Sequence, residues 1–268
     1  MSAQVVVVDQ SSWGRIRVTG ADRVRFLQGM LSNDVAALAV GGFCRAVLLN
    51  AKGRVLALVD VLAEAESFLL LTEPVTADKT RDVLAKHAIM DDVVFTPVDV
   101  RVHRIWDSVE AVWTAPPILA GLAGLAGLAG SAPEGSPEAA VEARRVEAGL
   151  PRYGVDVSEE YFPFEANLER AISYTKGCYV GQEVVARAAA RGHANKRLVG
   201  LRFAGGLAPA GTGLAAEARE DAGLVTSAVE SPDFGAIGLG YVHKSSWDPG
   251  TRLRAGDREA TVVALPFS

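Results

Sequence analysis

Between residues 115 and 138 the chain runs through Pro116-Pro117 into Gly-Leu-Ala triplets, closing on Ser131-Ala-Pro133-Glu-Gly135-Ser-Pro137. Glycine at every third position, with prolines at both ends, cannot continue a helix or a strand, so the chain must fold from the two segments on either side of this stretch. The repeats are few and carry no proline in the X or Y positions, which excludes a collagen helix. Residues 111–133 are uncharged and long enough to span a bilayer. However, Pro116, Pro117 and Gly121, Gly124, Gly127 and Gly130 interrupt them, and alanine supplies much of their apolar content. The segment 115–137 is therefore read as a surface linker, and no membrane is expected.

Before the linker, strands and helices mix without a regular βαβ rhythm. Residues 4–8, 15–18, 43–49, 54–62, 68–71, 93–96 and 98–105 are rich in β-branched or aliphatic residues and read as strands. Val24, Leu27 and Leu31 recur at helical spacing, with Gly29 placed to end that helix, and 74–87 reads as a second helix. Asn50-Ala-Lys-Gly53 between two β-rich runs reads as a turn. After residue 197, short strands near 198–203, 223–229, 237–242 and 260–265 alternate with turn residues, as in a small β-barrel. The fold class expected is α+β.

Two cysteines among 268 residues are too few for a disulfide framework, a four-thiolate zinc site or a self-sufficient iron–sulfur cluster. His87, His103, His193 and His243 show no metal-ligand spacing, so no metal site is expected. The start has no basic segment before Val5–Val8, so it is not read as a signal peptide, and a cytoplasmic location with reduced thiols is expected. A net charge of −5 argues against a general polyanion binder, and no direct contact with nucleic acid is expected. Walker A, GxGxxG, HExxH and GxSxG sequences are absent.

Thr175-Lys-Gly-Cys-Tyr-Val-Gly-Gln-Glu183 is the most distinctive stretch. Gly177 and Gly181 permit sharp turns, and a helix from Gln182 would put Cys178 just ahead of its N-terminus, beside Lys176. Such surroundings lower a thiol pKa; the alternative, a small buried cysteine, stays open. Cys44, inside an apolar strand, reads as core. From Val184 to Ala216 no acidic residue occurs, while Arg187, Arg191, Lys196, Arg197 and Arg202 are basic. That run suits a carboxylate tail or a phosphate, or an ordinary solvated surface. His193, inside it, is the histidine singled out for test.

These segments together resemble the folate-binding family of the glycine cleavage T-protein, in its YgfZ-like branch. The resemblance is carried by Gly20-Ala-Asp22, Phe26–Gly29 and Ser32–Asp34, by the Asn50–Gly53 turn, and by Arg145–Gly154. Pro163–Leu168, Lys176–Glu183 (KGCYVGQE), Gly223–Ser227 and Gly238–Val242 complete it. It covers nearly the whole chain except the linker. It implies two ferredoxin-like α+β modules and a C-terminal β-barrel around a central folate channel. The modules would be 1–45 plus 138–190, 46–114, and 191–268 for the barrel.

The resemblance further implies that tetrahydrofolate or a derivative binds. Tyr153 and Glu165 would contact the pterin, and Arg187, Arg191 and Arg197 its glutamate tail. Cys178, flanked by Lys176 and Tyr179 and set in the motif residues Gly177, Gly181, Gln182 and Glu183, would be the working thiol. Aminomethyltransferases of the family carry an acidic pair after the Lys-Gly turn; here those positions are Ala57 and Leu58. This departure puts an accessory role in iron–sulfur assembly or repair, with iron–sulfur assembly proteins or client enzymes as partners, ahead of a folate-dependent aminomethyl or other one-carbon transferase. Turnover itself is left open. Regulation of tRNA modification through iron–sulfur enzymes is a further alternative, and a loop that only packs the core is the plainest one.

Overall fold

The computed structural model describes residues 6–9, 11–107, 110–114, 138–190 and 194–268. The linker at 115–137, Arg191 and His193 lie outside these described residues. The first part of the chain contains β1 (Val6–Asp9), β2 (Gly14–Thr19), α1 (Arg23–Met30), β3 (Phe43–Leu49), β4 (Val55–Ala63), β5 (Phe68–Thr72), α2 (Ala77–His87), β6 (Val94–Pro97), β7 (His103–Asp107) and β8 (Glu110–Thr114). After the linker come α3 (Glu138–Glu147), α4 (Gln182–Ala190), β9 (Lys196–Ala204), β10 (Gly213–Ala216), β11 (Arg219–Ser231), β12 (Gly235–His243), β13 (Arg252–Ala255) and β14 (Arg258–Val263). The architecture is mixed α+β with a closed C-terminal barrel.

One antiparallel sheet runs β3-β4-β5-β2-β6, a smaller one β1-β7-β8, and the barrel closes in the order β10-β11-β12-β9-β14-β13. The module boundary expected at 45/46 falls inside β3, and β2 pairs directly with β5 and β6. Residues 14–97 therefore build a single sheet. Hydrogen bonding across about 50 residues of sequence leaves no local mark from which that pairing could be read.

The sheet is covered on both faces, which is why β4 reads as a nearly continuous apolar run. On one face Ala57, Val59 and Val61 pack with Phe26, Leu27 and Met30 of α1 and Leu84 of α2. On the other, Val47, Leu49, Val55 and Leu58 join Val146 of α3, Val185 of α4, and Leu198, Leu239 and Tyr241 of the barrel. This second cluster holds the three parts of the chain together. The barrel has its own interior of Leu201, Leu214, Val225, Leu253 and Val262.

Several expectations need correction. Val24 is exposed and Gly29 stays within α1; the helix stops at Met30, where extended Leu31 bridges Leu48 of β3. Residues 98–102 are irregular, and β7 begins only at His103. Strands β10 and β13 were not foreseen: each has four residues, and neither contains a β-branched residue to announce it.

A buried ionic seam fastens α3 to the barrel. Asp156 accepts hydrogen bonds from Arg145 (2.7 Å) and the Arg152 amide (3.0 Å) on one oxygen, and from Thr226 (2.5 Å) and Ser227 (2.7 Å) on the other. With both oxygens engaged by charged or hydroxyl donors, the carboxylate is satisfied where it could not otherwise be tolerated. Arg145–Gly154 and Gly223–Ser227, distant in sequence, meet at this carboxylate.

Candidate functional site

A cavity of about 650 Å³ opens where the five-stranded sheet, the segments following α3 and the barrel converge. Such a volume lies within the ~300–1,000 Å³ typical of small-molecule sites. Phe43, Cys44, Arg45 and Asp60 form its sheet wall. Gly149, Leu150 and residues 167–171 face them, and Arg197, Leu265 and Pro266 come from the barrel and its tail.

The sheet wall is charged and fixed. Arg45 and Asp60 are directly opposed across β3 and β4, and the guanidinium donates to both carboxylate oxygens, Nε to Oδ1 at 2.7 Å and Nη2 to Oδ2 at 2.8 Å. Asn33 Nδ2 donates to the Arg45 carbonyl at 2.7 Å and pins the strand from below. Asp60 is the only charged residue of β4, and it lies on the same strand face as Leu58, one pleat further on. Asn167, on the opposite wall, has φ +59°, a left-handed conformation that asparagine tolerates better than most side chains. Glu73 is buried near this pair: its Oε1 accepts the Tyr153 amide at 3.3 Å, and burial raises its pKa against the opposing pull of Arg45.

Cys44, read as core, is only half-buried and lines the cavity. Burial and then the Asp60 carboxylate push its thiol up to about 12, with Lys176 acting in the other direction. The thiol is therefore protonated near neutral pH.

The KGCYVGQE loop sits against the end of α1. Lys176 is 9 % exposed, and its ammonium donates to the carbonyls of Gln28 (2.6 Å), Leu31 (2.5 Å) and Asn33 (3.0 Å), closing the helix C-terminus. Burial draws its pKa down to about 8, opposed by Asp34. Tyr179 is a core residue, and its amide donates to Gln182 Oε1 at 3.3 Å. At Gly181, with φ +82°, an added Cβ would stand 2.6 Å from the Asn50 carbonyl, so this loop and the Asn50–Gly53 turn touch backbone to backbone. Asn50 Oδ1 accepts the amides of Lys52 and Arg54, which sets that turn.

Cys178 and Gly177 are exposed. Helix α4 starts at Gln182, where the sequence places it, four residues after Cys178. Of the described residues assigned to folate, Arg197 alone lines the cavity, where it also pairs with Glu169 at 3.1 Å. Tyr153 receives a hydrogen bond from Lys79 at 2.9 Å, and Glu165 accepts the Phe162 amide at 2.9 Å and lies 3.8 Å from Arg54; neither lines the cavity. Arg187 and Glu183 are exposed on α4. Sequence reasoning passed over Arg45, Asn167 and Arg170 as site residues, read Cys44 as core, and gave Asp60 no place in the site. An aspartate within an otherwise apolar strand was the signal available.

Residues 1–109 match the GCVT N-terminal domain, and residues 196–268 match the glycine cleavage T-protein C-terminal barrel domain. An uncharacterized protein of Haemophilus influenzae is 30% identical over 94% of this chain and 95% of its own length. The chain belongs to the glycine cleavage T-protein family. Within the family it is YgfZ-like: a tRNA-modifying protein YgfZ of Yersinia pseudotuberculosis is 26% identical over 72% of this chain and 69% of that one. The aminomethyltransferase T structure from Bartonella henselae superposes with a TM-score of 0.83, at 22% identity, over all of this chain and 87% of that one. At that identity the likeness establishes the fold alone. Among the described residues, no three His, Cys, Asp or Glu side chains group to hold a metal, and no helix is long and apolar enough to cross a membrane.

Proposed function

We propose that this family member binds a reduced folate in the central cavity and acts as an accessory protein, supporting iron–sulfur enzymes on which tRNA modification depends. The observation that carries the reading is the charged cavity wall within a T-protein fold whose acidic pair is replaced by buried Ala57 and Leu58. The donor set suits the ligand. Asn33, Arg45 and Asp60 offer donors and acceptors to a flat heterocycle, and Arg170 and Arg197 offer cations to tail carboxylates. A bound reduced folate would supply a carrier for one-carbon units. Asp60 is already committed to Arg45, so it is a poor stand-in for a free general base.

Exposed Cys178 is the residue positioned to meet a partner protein, contributing one thiolate to a shared cluster or exchanging thiols with it. Calorimetric titration with tetrahydrofolate under anaerobic conditions tests the first half. Saturable one-to-one binding is expected, and none at millimolar ligand would overturn it. Complementation of a deletion strain tests the second. Wild type should restore iron–sulfur enzyme activity and Cys178→Ser should not; equal rescue would remove the thiol from the function. Methylenetetrahydrofolate formation from an aminomethylated carrier protein would instead establish the transferase.

A further inference from the structure

Arg45 has more hydrogen-bonding capacity than its protein partners use. A guanidinium carries five N–H donors in a rigid fork. In Arg45 two of them go to Asp60, and no other acceptor engages the side chain among the described residues. The side chain is 17 % exposed, and Arg45 lines the cavity. Its Nη1, which takes no part in the Asp60 contact, is not among the buried side-chain atoms left without a partner, so it is open to the cavity, where an acceptor on a ligand can reach it. Its orientation is also fixed, by the bidentate contact with Asp60 and by Asn33 on its own carbonyl.

We infer that Arg45 is the specificity-determining residue of the cavity: a prealigned donor fork that takes a carbonyl oxygen of the ligand, with Asp60 as the residue that positions it. The inference rests on the folate reading and deepens it. A guanidinium can donate but never accept. It therefore selects a pteridine with an oxo group at ring position 4 and disfavours one with an amino group there, since two donors would face each other and the fork would stay unmatched. Tetrahydrofolate carries that oxo group. A 4-amino analogue has the same size and the same tail, so tail contacts with Arg170 and Arg197 cancel in the comparison.

The test is a paired titration of the intact protein with folic acid and with its 4-amino counterpart, aminopterin. Wild type should prefer folic acid by about 10- to 100-fold, the effect of leaving a charged donor unpaired. Arg45→Gln combined with Asp60→Asn replaces the ion pair by a neutral pair, so no uncompensated charge is buried, and should reduce the preference to within about threefold. A melting curve of this double variant confirms that it is folded. Equal wild-type affinity for the two ligands, or a preference that survives in the folded double variant, would overturn the inference while leaving folate binding in place. Absence of binding by either ligand, and by tetrahydrofolate, to wild type would remove the folate reading and this inference with it.

Discussion

Replacing Lys176 by Met distinguishes a lysine that holds the fold from one that activates a thiol. Methionine keeps the length and apolar stem of the side chain but removes the ammonium from the carbonyls of Gln28, Leu31 and Asn33. Hydrogen bonds from a charged donor are worth about 1.5–3 kcal/mol each. Burial offsets part of this sum, since a lysine brought from 10.5 to about 8 carries a penalty of about 3 kcal/mol. The net loss expected is about 2–5 kcal/mol, because the end of α1 would be left with unmatched carbonyls. At ~2–4 °C per kcal/mol for a chain of this size, the melting midpoint should fall by about 5–15 °C. Urea unfolding and a calorimetric melt at neutral pH measure both quantities, and the alkylation rate of Cys178 is read on the same samples. A variant as stable as wild type, with Cys178 alkylated many times more slowly, would refute the argument and return Lys176 to the thiol.

The two cysteines should alkylate very differently. Exposed Cys178 should react within minutes under mild conditions, while Cys44, with a thiol near 12 rather than 9.0, should react about a thousandfold more slowly than an ordinary thiol near pH 8. The Cys44 rate should climb about tenfold per pH unit up to that value, because only the thiolate attacks. Mass mapping after labelling would check both rates, and bound folate should shield Cys44 alone. Gly181→Ala should destabilise by about 2–4 kcal/mol, combining a left-handed φ with a Cβ at 2.6 Å from a backbone oxygen; a denaturant melt measures it. Asp156→Asn should cost about 1–3 kcal/mol: Arg145 keeps its bidentate pair with Glu142, but the donors of Arg145, the Arg152 amide, Thr226 and Ser227 lose a shared carboxylate and one of them faces an amide N–H; unchanged stability would mean that the seam between α3 and the barrel contributes little.

How much could be read in the sequence depends on the range of the interactions involved. The Asn50–Gly53 turn, the hairpin it joins and the four longest barrel strands are local, and turn chemistry with β-rich runs marks them. Gly181 could be picked out as a backbone necessity, although the object it makes room for, the Asn50 carbonyl, could not. The cavity was hardly legible, because its polar wall depends on which strands lie side by side. Arg45 and Asp60 are 15 positions apart and ordinary in isolation; only the β3–β4 register makes them a pair. Lys176 shows the opposite failure. Its nearness to Cys178 in sequence suggested thiol chemistry, whereas its side chain turns away to the carbonyls at the end of a helix some 145 residues earlier.

Because the cavity draws its walls from the sheet, from the segments after α3 and from the barrel, no one of these owns the site. Ligand affinity is then tied thermodynamically to the docking of all three, and occupancy stabilises the native state by RT ln(1 + [L]/Kd), about 2.7 kcal/mol at one hundred times Kd. In a cell whose folate supply fluctuates, the lifetime of the protein would follow the abundance of its ligand, with the empty form the one handed to proteases.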